Sequence, residues 1–423
     1  MDVIYKALRW HQNKFKSNQM LNTTLPPWPN FSADDARAVA EVIASNRVNY
    51  WTGDECRKFE TEYAAWCGSE KAIALNNGTV ALDVALKALC VGPGDEVIVT
   101  PRTFIASISC VVTAGATPVF ADVDLDTGNI SPATIAPKIT ARTKAIIPVH
   151  LAGWPCDMDG ILALARSRDI KVIEDCAQAH GARIGCRSVG TIGDIGAWSF
   201  CQDKIMTTGG EGGMVTTNDH DLWSAMWSYK DHGKSWDAVY NKQHPPGYRW
   251  LHESFGTNWR MLEVQAVLGR LQLKQMHAWT VRRTQIAHKM MAVLDQFPDI
   301  LRVPKPEPDV THAYYRLYAY VRPDALAGGW TRDRIIAECS ALGAPIFQGS
   351  CSEVYLEKAF DGSGFRPEER LPNAKLLGES SLMFLTHPNI TDAHVDRLCD
   401  VFALVLSDAS RAGAGGEMRY PSK

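Results

Sequence analysis

The sequence has no marked excess of charge of either sign, no closely paired cysteines and no long apolar run near its start. Its 44 basic and 47 acidic residues give a net charge of −3, which gives no reason to expect a nucleic acid or an anionic membrane as a partner. The 11 cysteines show neither a C-x-x-C pair nor a zinc-like spacing with histidine, so we expect neither a disulfide scaffold nor a metal site. Residues Met1 to Met20 lack a continuous apolar segment, which indicates neither a signal peptide nor a membrane span and predicts a cytoplasmic protein.

From about Cys56 to Leu222 the sequence alternates helical faces with short apolar strands. Strands are predicted at Ala72–Leu75, Val97–Val99, Pro118–Ala121, Ala145–Val149 and Val172–Ile173. This alternation is typical of an α/β fold in which a mainly parallel, mixed sheet carries helices on both faces. With 423 residues, 46% of them hydrophobic, the chain is long enough to form two domains.

The domain organisation that we predict has four parts. They are an N-terminal extension (1–25), a large domain with a bridging helix (26–280), a small α+β domain (281–408) and a disordered tail (409–423). Ser32 is predicted to cap the first helix, and a helical tract from Glu263 to Leu294 is predicted to bridge the two domains. The run Tyr314 to Tyr320 alternates like a half-exposed antiparallel strand.

Lys204 is the first candidate for chemistry. It follows Ser199 closely and is itself followed by the glycine-rich run Gly209-Gly210-Glu211-Gly212-Gly213. An amine in this position can act as a Schiff-base nucleophile, the glycines let backbone pass close to a bulky group, and Ser199 can hold a phosphate oxygen. The combination suits a lysine that carries pyridoxal phosphate (PLP), although most lysines are simply solvated surface charges.

Asp175 ends a predicted apolar strand in the segment Glu174-Asp175-Cys176-Ala177-Gln178-Ala179-His180-Gly181. Ligands of open α/β sheets gather beyond the carboxyl ends of the strands, and a carboxylate there can pair with the protonated ring nitrogen of PLP. Gln178 can bond the ring hydroxyl, and His180 is predicted to lie near the same pocket. Asp175 also fits the simpler role of ending the strand and capping the next segment.

Two further segments fit the same ligand. Leu82, Ala85, Leu86 and Leu89 share one helical face, so Gly78 and Thr79 are expected at the start of a helix, whose free N–H groups attract a phosphate. Phe104 follows a buried-looking strand and can stack on the cofactor ring, or else pack in the core.

The order of these four segments resembles that of the fold-type I PLP enzymes, and more narrowly of the DegT/DnrJ/EryC1/StrS family of sugar aminotransferases. The resemblance runs from roughly Pro26 to Pro388 and includes the motifs above together with Gly256-Thr257-Asn258-Trp259-Arg260-Met261. It implies a PLP-dependent transferase fold with a large and a small domain. It also implies a homodimer in which each active site is shared between subunits.

The resemblance also implies roles for particular residues. Lys204 would hold the cofactor as a Schiff base, and the other cofactor-binding positions would be Gly78, Thr79, Phe104, Asp175, Gln178, Ser199 and Asn258, the last from the partner subunit. Some relatives have histidine in place of the lysine and carry out dehydrations, so Lys204 favours transamination here. After its release the amine is also the group placed to move the proton.

The expected activity is transfer of an amino group from L-glutamate or L-glutamine to a keto-sugar, expected to be nucleotide-linked, for a surface polysaccharide or a natural product. The basic and aromatic segment from Tyr229 to His252, which contains His232, can meet a nucleotide diphosphate or can be an ordinary surface loop. His180 and His232 are candidate substrate residues because histidine titrates near neutral pH. Two alternatives stay open: a PLP-dependent sugar dehydratase or eliminase, and a non-catalytic regulatory protein that kept the fold.

Overall fold

The computed structural model describes residues 25–410, in which helices and strands alternate along the first half of the chain. The helices are α1 Ala33–Ala44, α2 Glu55–Cys67, α3 Gly78–Ala88, α4 Ala106–Thr113, α5 Pro132–Ile135, α6 Met158–Arg166, α7 His220–Lys230, α8 Trp236–Tyr240, α9 Glu263–Leu273, α10 Met276–Leu294, α11 Arg332–Ala341, α12 Pro372–Ser380 and α13 Asp392–Ser410. The strands are β1 Lys71–Leu75, β2 Glu96–Val99, β3 Thr117–Phe120, β4 Thr143–Ile147, β5 Lys171–Asp175, β6 Arg183–Ile184, β7 Arg187–Ser188, β8 Ile195–Ser199, β9 Gly213–Thr217, β10 Leu301–Arg302, β11 Val310–Thr311, β12 Arg316–Val321, β13 Ile346–Phe347 and β14 Ser381–Leu385.

The main sheet has seven strands in the order β1-β9-β8-β5-β4-β2-β3. Neighbouring strands pair in parallel along the row β3, β2, β4, β5 and β8. Strand β9 runs antiparallel to both β8 and β1. Successive residues of the strands point to different hydrophobic cores, with Val97 and Val99 in one and Ile98 in another. Apolar cores therefore cover both faces of the sheet, which confirms the predicted α/β fold class.

The second half of the chain builds a four-stranded antiparallel sheet in the order β10-β12-β14-β13. Helices α10 and α13 pack together and share a separate core with this sheet, in which Phe384 and Phe402 meet edge to face with ring centroids 5.0 Å apart. The alternating tyrosine run does contribute an antiparallel strand, β12, between β10 and β14. It is more buried than the predicted half-exposed strand, because only Arg316 and Tyr318 are partly exposed. The division into a large and a small domain at about residue 280 stays a prediction.

Three local predictions can be compared with the structure. Ser32 caps α1, where its Oγ accepts from the Asp35 N–H at 3.1 Å and the Asp35 carboxylate accepts in return. The tract from Glu263 to Leu294 is two helices, α9 and α10, separated by a two-residue turn at Lys274 and Gln275. The last helix reaches Ser410, so residues 409 and 410 are helical, and the rest of the predicted tail and residues 1–24 lie outside the described residues. None of the helices within residues 25–410 is both long and apolar enough to cross a membrane.

Candidate active site

The candidate residues come together at the edge of the main sheet where its parallel strands end. Asp175 is the last residue of β5, Ser199 is the last residue of β8, and Phe104 follows β2 after a short loop. Carboxyl ends of parallel strands share one edge of a sheet, so residues far apart in sequence become neighbours there.

The Asp175 carboxylate is buried and held by two protein donors. Ser107 Oγ donates to Oδ2 at 2.8 Å, and the Ala177 N–H donates to Oδ1 at 3.1 Å. Ser107 is itself 3.0 Å from the Thr103 hydroxyl, which links the carboxylate to the loop that carries Phe104. Burial raises the pKa of Asp175, against the opposing effect of these hydrogen bonds. A buried carboxylate of this kind is stabilised by a cation, and the protonated nitrogen of a pyridine ring is one.

The preceding residue, Glu174, points away from this edge and fixes the backbone that carries Asp175. Its carboxylate accepts from the N–H groups of Gly190, Ile192 and Gly193 at 2.9, 2.8 and 2.7 Å, and it lies 3.0 Å from His150 Nε2. The side chains of His150, Glu174 and Cys176 form a buried group whose nitrogen, oxygen and sulfur atoms are of the kinds that bind metal ions. Because protein donors already occupy the carboxylate, we interpret the group as a hydrogen-bond network.

Lys204 lies in the loop between β8 and β9, and its side chain is 16% exposed. Its backbone carbonyl accepts from Trp28 Nε1 at 2.8 Å, while its Nζ lies 3.5 Å from Asp203 Oδ1 and 5.4 Å from the Tyr315 ring centroid. Burial lowers the Lys204 pKa, but the charges of Tyr315, Asp203, Cys201 and Asp175 raise it by more, so the pKa is raised overall. The Tyr315 hydroxyl donates to Asp203 Oδ2. The amine is thus held between acidic groups, one of them Asp175.

A cradle for a phosphate forms where α3 begins beside the end of β8. The Asn77 side chain caps α3 by accepting from the Val80 N–H at 3.0 Å. Gly78 sits so close to Ser199 that a Cβ on Gly78 would lie 2.6 Å from the Ser199 Cβ, so only glycine fits without displacement. Thr79 is exposed on the first turn. The helix N-terminus and the adjacent Ser199 hydroxyl make a concave site for an anion.

Phe104 and Gln178, the two predicted ring contacts, follow strands β2 and β5 at the carboxyl edge of the sheet. Phe104 is 67% exposed, so its face is free to stack. Gln178 Oε1 accepts from the Ala152 N–H at 2.8 Å, which directs its amide N–H groups to other acceptors such as a ring hydroxyl. Asn258 is exposed, and its backbone bridges to that of Asp231. An exposed position agrees with the predicted reach into a partner subunit, which stays a prediction.

The two candidate substrate histidines lie in very different places. His180 is completely buried among Tyr63, Trp198 and Phe200, with ring centroids 5.1 to 6.4 Å away, and burial lowers its pKa to about 3. Its ring is therefore neutral and has no exposed surface, which disfavours the predicted contact with substrate. His232 is exposed and has a positive φ of 59°.

Two neighbours of Lys204, Trp28 and Tyr315, could not be inferred from the sequence, and neither could Arg316, which stacks on Tyr315. Trp28 and Tyr315 touch Lys204 from positions more than a hundred residues away along the chain, and Arg316 Cζ lies 4.1 Å from the Tyr315 ring centroid. Contacts at that separation have no local pattern that could reveal them. Together, a buried carboxylate, an amine and a helix N-terminus beside a hydroxyl are chemically suited to the ring nitrogen, the aldehyde and the phosphate of PLP.

Comparison with known proteins finds similarity to aminotransferases. The model of the DegT/DnrJ/EryC1/StrS aminotransferase family matches residues 29–403. The chain is similar to an aminotransferase from Psychrobacter cryohalolentis of known structure, with 62% identity, a TM-score of 0.90 and coverage of 92% of this chain and 100% of that one. It is 38% identical over 355 residues to the GDP-perosamine synthase of Caulobacter vibrioides, which covers 82% of this chain and 89% of that relative. The structure of S. venezuelae DesV in complex with a ketimine intermediate is 32% identical, with a TM-score of 0.78 and coverage of 88% and 94%.

Proposed function

This chain belongs to the DegT/DnrJ/EryC1/StrS aminotransferase family, and we propose that it transfers the amino group of L-glutamate or L-glutamine to a nucleotide-linked keto-sugar. The family and its named relatives are aminotransferases of sugar biosynthesis, so the protein is a PLP-dependent aminotransferase that acts in amino-sugar formation. The observation that supports the finer proposal is that Lys204 and Asp175 interact electrostatically at the sheet edge where Gly78 lies against Ser199.

The residues present fit the cofactor at each of its polar groups. We propose that Lys204 holds it covalently, that Asp175 pairs with its ring nitrogen, and that Gln178 bonds its hydroxyl. Gly78, Thr79 and Ser199 would hold its phosphate, Phe104 would cover the ring, and Asn258 of the partner would reach the phosphate. When bound, PLP supplies an electron sink for a carbanion at the substrate's amino carbon.

Lys204 would have a second task once its amine is free, because that amine would be the group able to take and return the proton of the substrate's amino carbon. Asp203 and the Tyr315 hydroxyl orient that amine from one side, at 3.5 Å for Asp203 Oδ1. His180, neutral and enclosed, is not needed for this step.

The absorbance spectrum of the holoenzyme before and after addition of L-glutamate tests the proposal. We expect a cofactor band that converts to the pyridoxamine form. The Lys204→Ala variant should keep its fold and lose turnover, which circular dichroism and an assay with a panel of nucleotide keto-sugars would measure. A wild-type protein with no cofactor band after incubation with PLP, or full turnover in K204A, would overturn the assignment.

Elimination without transfer is the alternative within PLP chemistry, and a nitrogen label distinguishes the two. With ¹⁵N-labelled L-glutamate, transamination places the label in the sugar product, whereas elimination gives a sugar product without the label. The lysine at position 204 favours transfer.

The partners and location form part of the same proposal. We infer small-molecule substrates, and a homodimer with shared sites as its assembly. The exposed Asn258 supports the shared sites. The cytoplasmic location stays a prediction from the sequence.

A further inference from the structure

Behind Lys204 lies a group of basic side chains that the proposed chemistry has not used. Arg316 stacks on Tyr315, the residue whose ring also faces the Lys204 amine. The second basic side chain, Arg283, is completely buried, and its Cζ lies 5.2 Å from the Trp28 ring centroid. The charge of Arg316 acts on Arg283, whose pKa burial lowers to about 9.

Neither guanidinium forms an ion pair with a carboxylate within residues 25–410. Nη1 of Arg316 donates to the Tyr315 carbonyl at 2.9 Å, and Nη1 of Arg283 is 3.4 Å from the Tyr314 carbonyl. Nε and Nη2 of Arg283 are buried without a hydrogen-bond partner. The nearby Asp203 interacts with Arg316 at longer range, and its Oδ2 already accepts from Tyr315. Buried charges are normally paired, so an excess of positive charge here indicates an anionic ligand.

The free edge of Arg316 has the shape that a carboxylate requires. With Nη1 used by the backbone, Nε and Nη2 remain side by side and can donate two parallel hydrogen bonds to a carboxylate. Arg316 is half-buried and therefore accessible, whereas Arg283 is enclosed and acts through its charge.

Building on the proposed function, we propose that Arg316 binds a carboxylate of the amino donor beside Lys204. The position favours the donor over the acceptor. A donor's α-carboxylate is attached to the carbon that bears the reacting nitrogen, so it must lie within about one side chain of Lys204. Arg316 and the Lys204 amine both lie against the Tyr315 ring, 4.1 and 5.4 Å from its centroid. The diphosphate of a nucleotide sugar is separated from the keto carbon by part of the sugar ring. Arg283 serves as a positioning residue that keeps the pocket positive.

Binding of glutarate, a dicarboxylate without an amino group, to the holoenzyme tests this proposal by calorimetry. We expect Arg316→Gln to weaken glutarate binding about tenfold to a hundredfold, the effect of losing one charged hydrogen-bonding group, and to raise the half-saturating L-glutamate concentration to a similar degree. Arg316→Lys should recover part of the loss. An unchanged cofactor band and melting temperature would show that the variants are folded and loaded.

Arg334→Gln is the matched control. Arg334 is also half-buried, stacks 4.3 Å from the Trp330 centroid and donates through Nη1 to the Gly329 carbonyl at 3.1 Å. It belongs to α11, and its Nε is paired with Glu338 Oε1 at 3.5 Å. R334Q should bind glutarate as the wild type does.

Inorganic pyrophosphate distinguishes the two sources of anion. If R316Q loses pyrophosphate binding and keeps glutarate binding, the arginine is assigned to the acceptor's diphosphate and the proposal is overturned. Wild-type affinity of R316Q for both anions would also overturn the proposal. Glutarate binding needs no turnover, so it tests the role of Arg316 even if the wild-type enzyme fails to react with L-glutamate. Such a failure would contradict the proposed donor and not the binding of a carboxylate by Arg316.

Discussion

At Asp175 the requirements of folding and of catalysis oppose each other. Burial raises the carboxyl's pKa above its unfolded value, so the folded protein without cofactor holds the proton more tightly than the unfolded chain does. This side chain therefore lowers the stability as pH rises from about 4, the ordinary pKa of Asp, and its full cost is present above the raised folded pKa. A cationic ring nitrogen would offset that cost.

Asp175→Asn separates the two requirements. Without cofactor, we expect the variant to lose less stability than the wild type across this pH window, by about 1.4 kcal/mol for each unit of pKa shift removed, as measured by denaturant unfolding at a series of pH values. With cofactor, its reaction with L-glutamate should slow by about 100- to 1000-fold, the usual cost of removing one preorganised electrostatic partner. Parallel pH profiles for the two proteins, or an undiminished rate, would contradict this role for Asp175.

Sequence reasoning locates residues whose surroundings are mostly local. Asp175 and Ser199 end strands and Gly78 begins a helix. Such boundaries are indicated by the residue types of the few neighbouring positions. His180 shows the limit, because after the strand ends no periodicity specifies which way a side chain points. Arg316 belongs to a run whose pattern indicates only an alternating strand, and its charge becomes meaningful once Tyr315 is seen to face Lys204.

At the scale of elements, the loop that carries Lys204 is closed at its base by the reversal of β9. Ser199 pairs with Gly213 across β8 and β9, and Cys201 bridges to Gly210 inside the loop. Short apolar runs predicted β1 to β5, but β8 and β9 were not among the predicted strands. The direction of β9 depends on how the chain returns rather than on strand composition. This reversal brings both ends of the loop back to the edge where Asp175 lies.

The contact between α3 and β8 allows a test of the phosphate cradle. Gly78→Ala would force a Cβ to within 2.6 Å of the Ser199 Cβ, so we expect about 1 to 3 kcal/mol of destabilisation from overpacking and at least a tenfold weaker affinity for PLP. Fluorescence titration with PLP and denaturant unfolding measure the two effects.

Gly92→Ala serves as the control for that substitution. Its Cβ would meet nothing closer than the Ala114 carbonyl oxygen at 3.9 Å, so stability and PLP affinity should stay near those of the wild type. Equal effects of G78A and G92A would mean that the close approach to Ser199 has no role in binding.

At the scale of the whole molecule, the shared-site dimer makes a prediction about mixtures. Lys204→Ala and Asn258→Ala should each be nearly inactive alone, since each site would lack one of its two groups. Refolded together, half of the dimers are mixed and each of these holds one intact site, so the activity should return to roughly a quarter of that of the wild type. The assay is turnover of the mixture, with a size measurement of the assembly alongside. No recovery would contradict sharing of the site through Asn258.

The segment around Trp28 has a consequence for how the chain is made. Trp28 donates to the Lys204 carbonyl across 176 positions, and Asn389 donates to the Pro27 carbonyl across 362 positions. A growing chain that has emerged from the ribosome as far as Lys204 still lacks Tyr315, Arg316 and the link to Asn389, so the surroundings of its reactive amine are incomplete. The amine therefore gains its full set of neighbours only after Asn389 has been added, and cofactor loading should follow growth of the chain to that residue rather than accompany it.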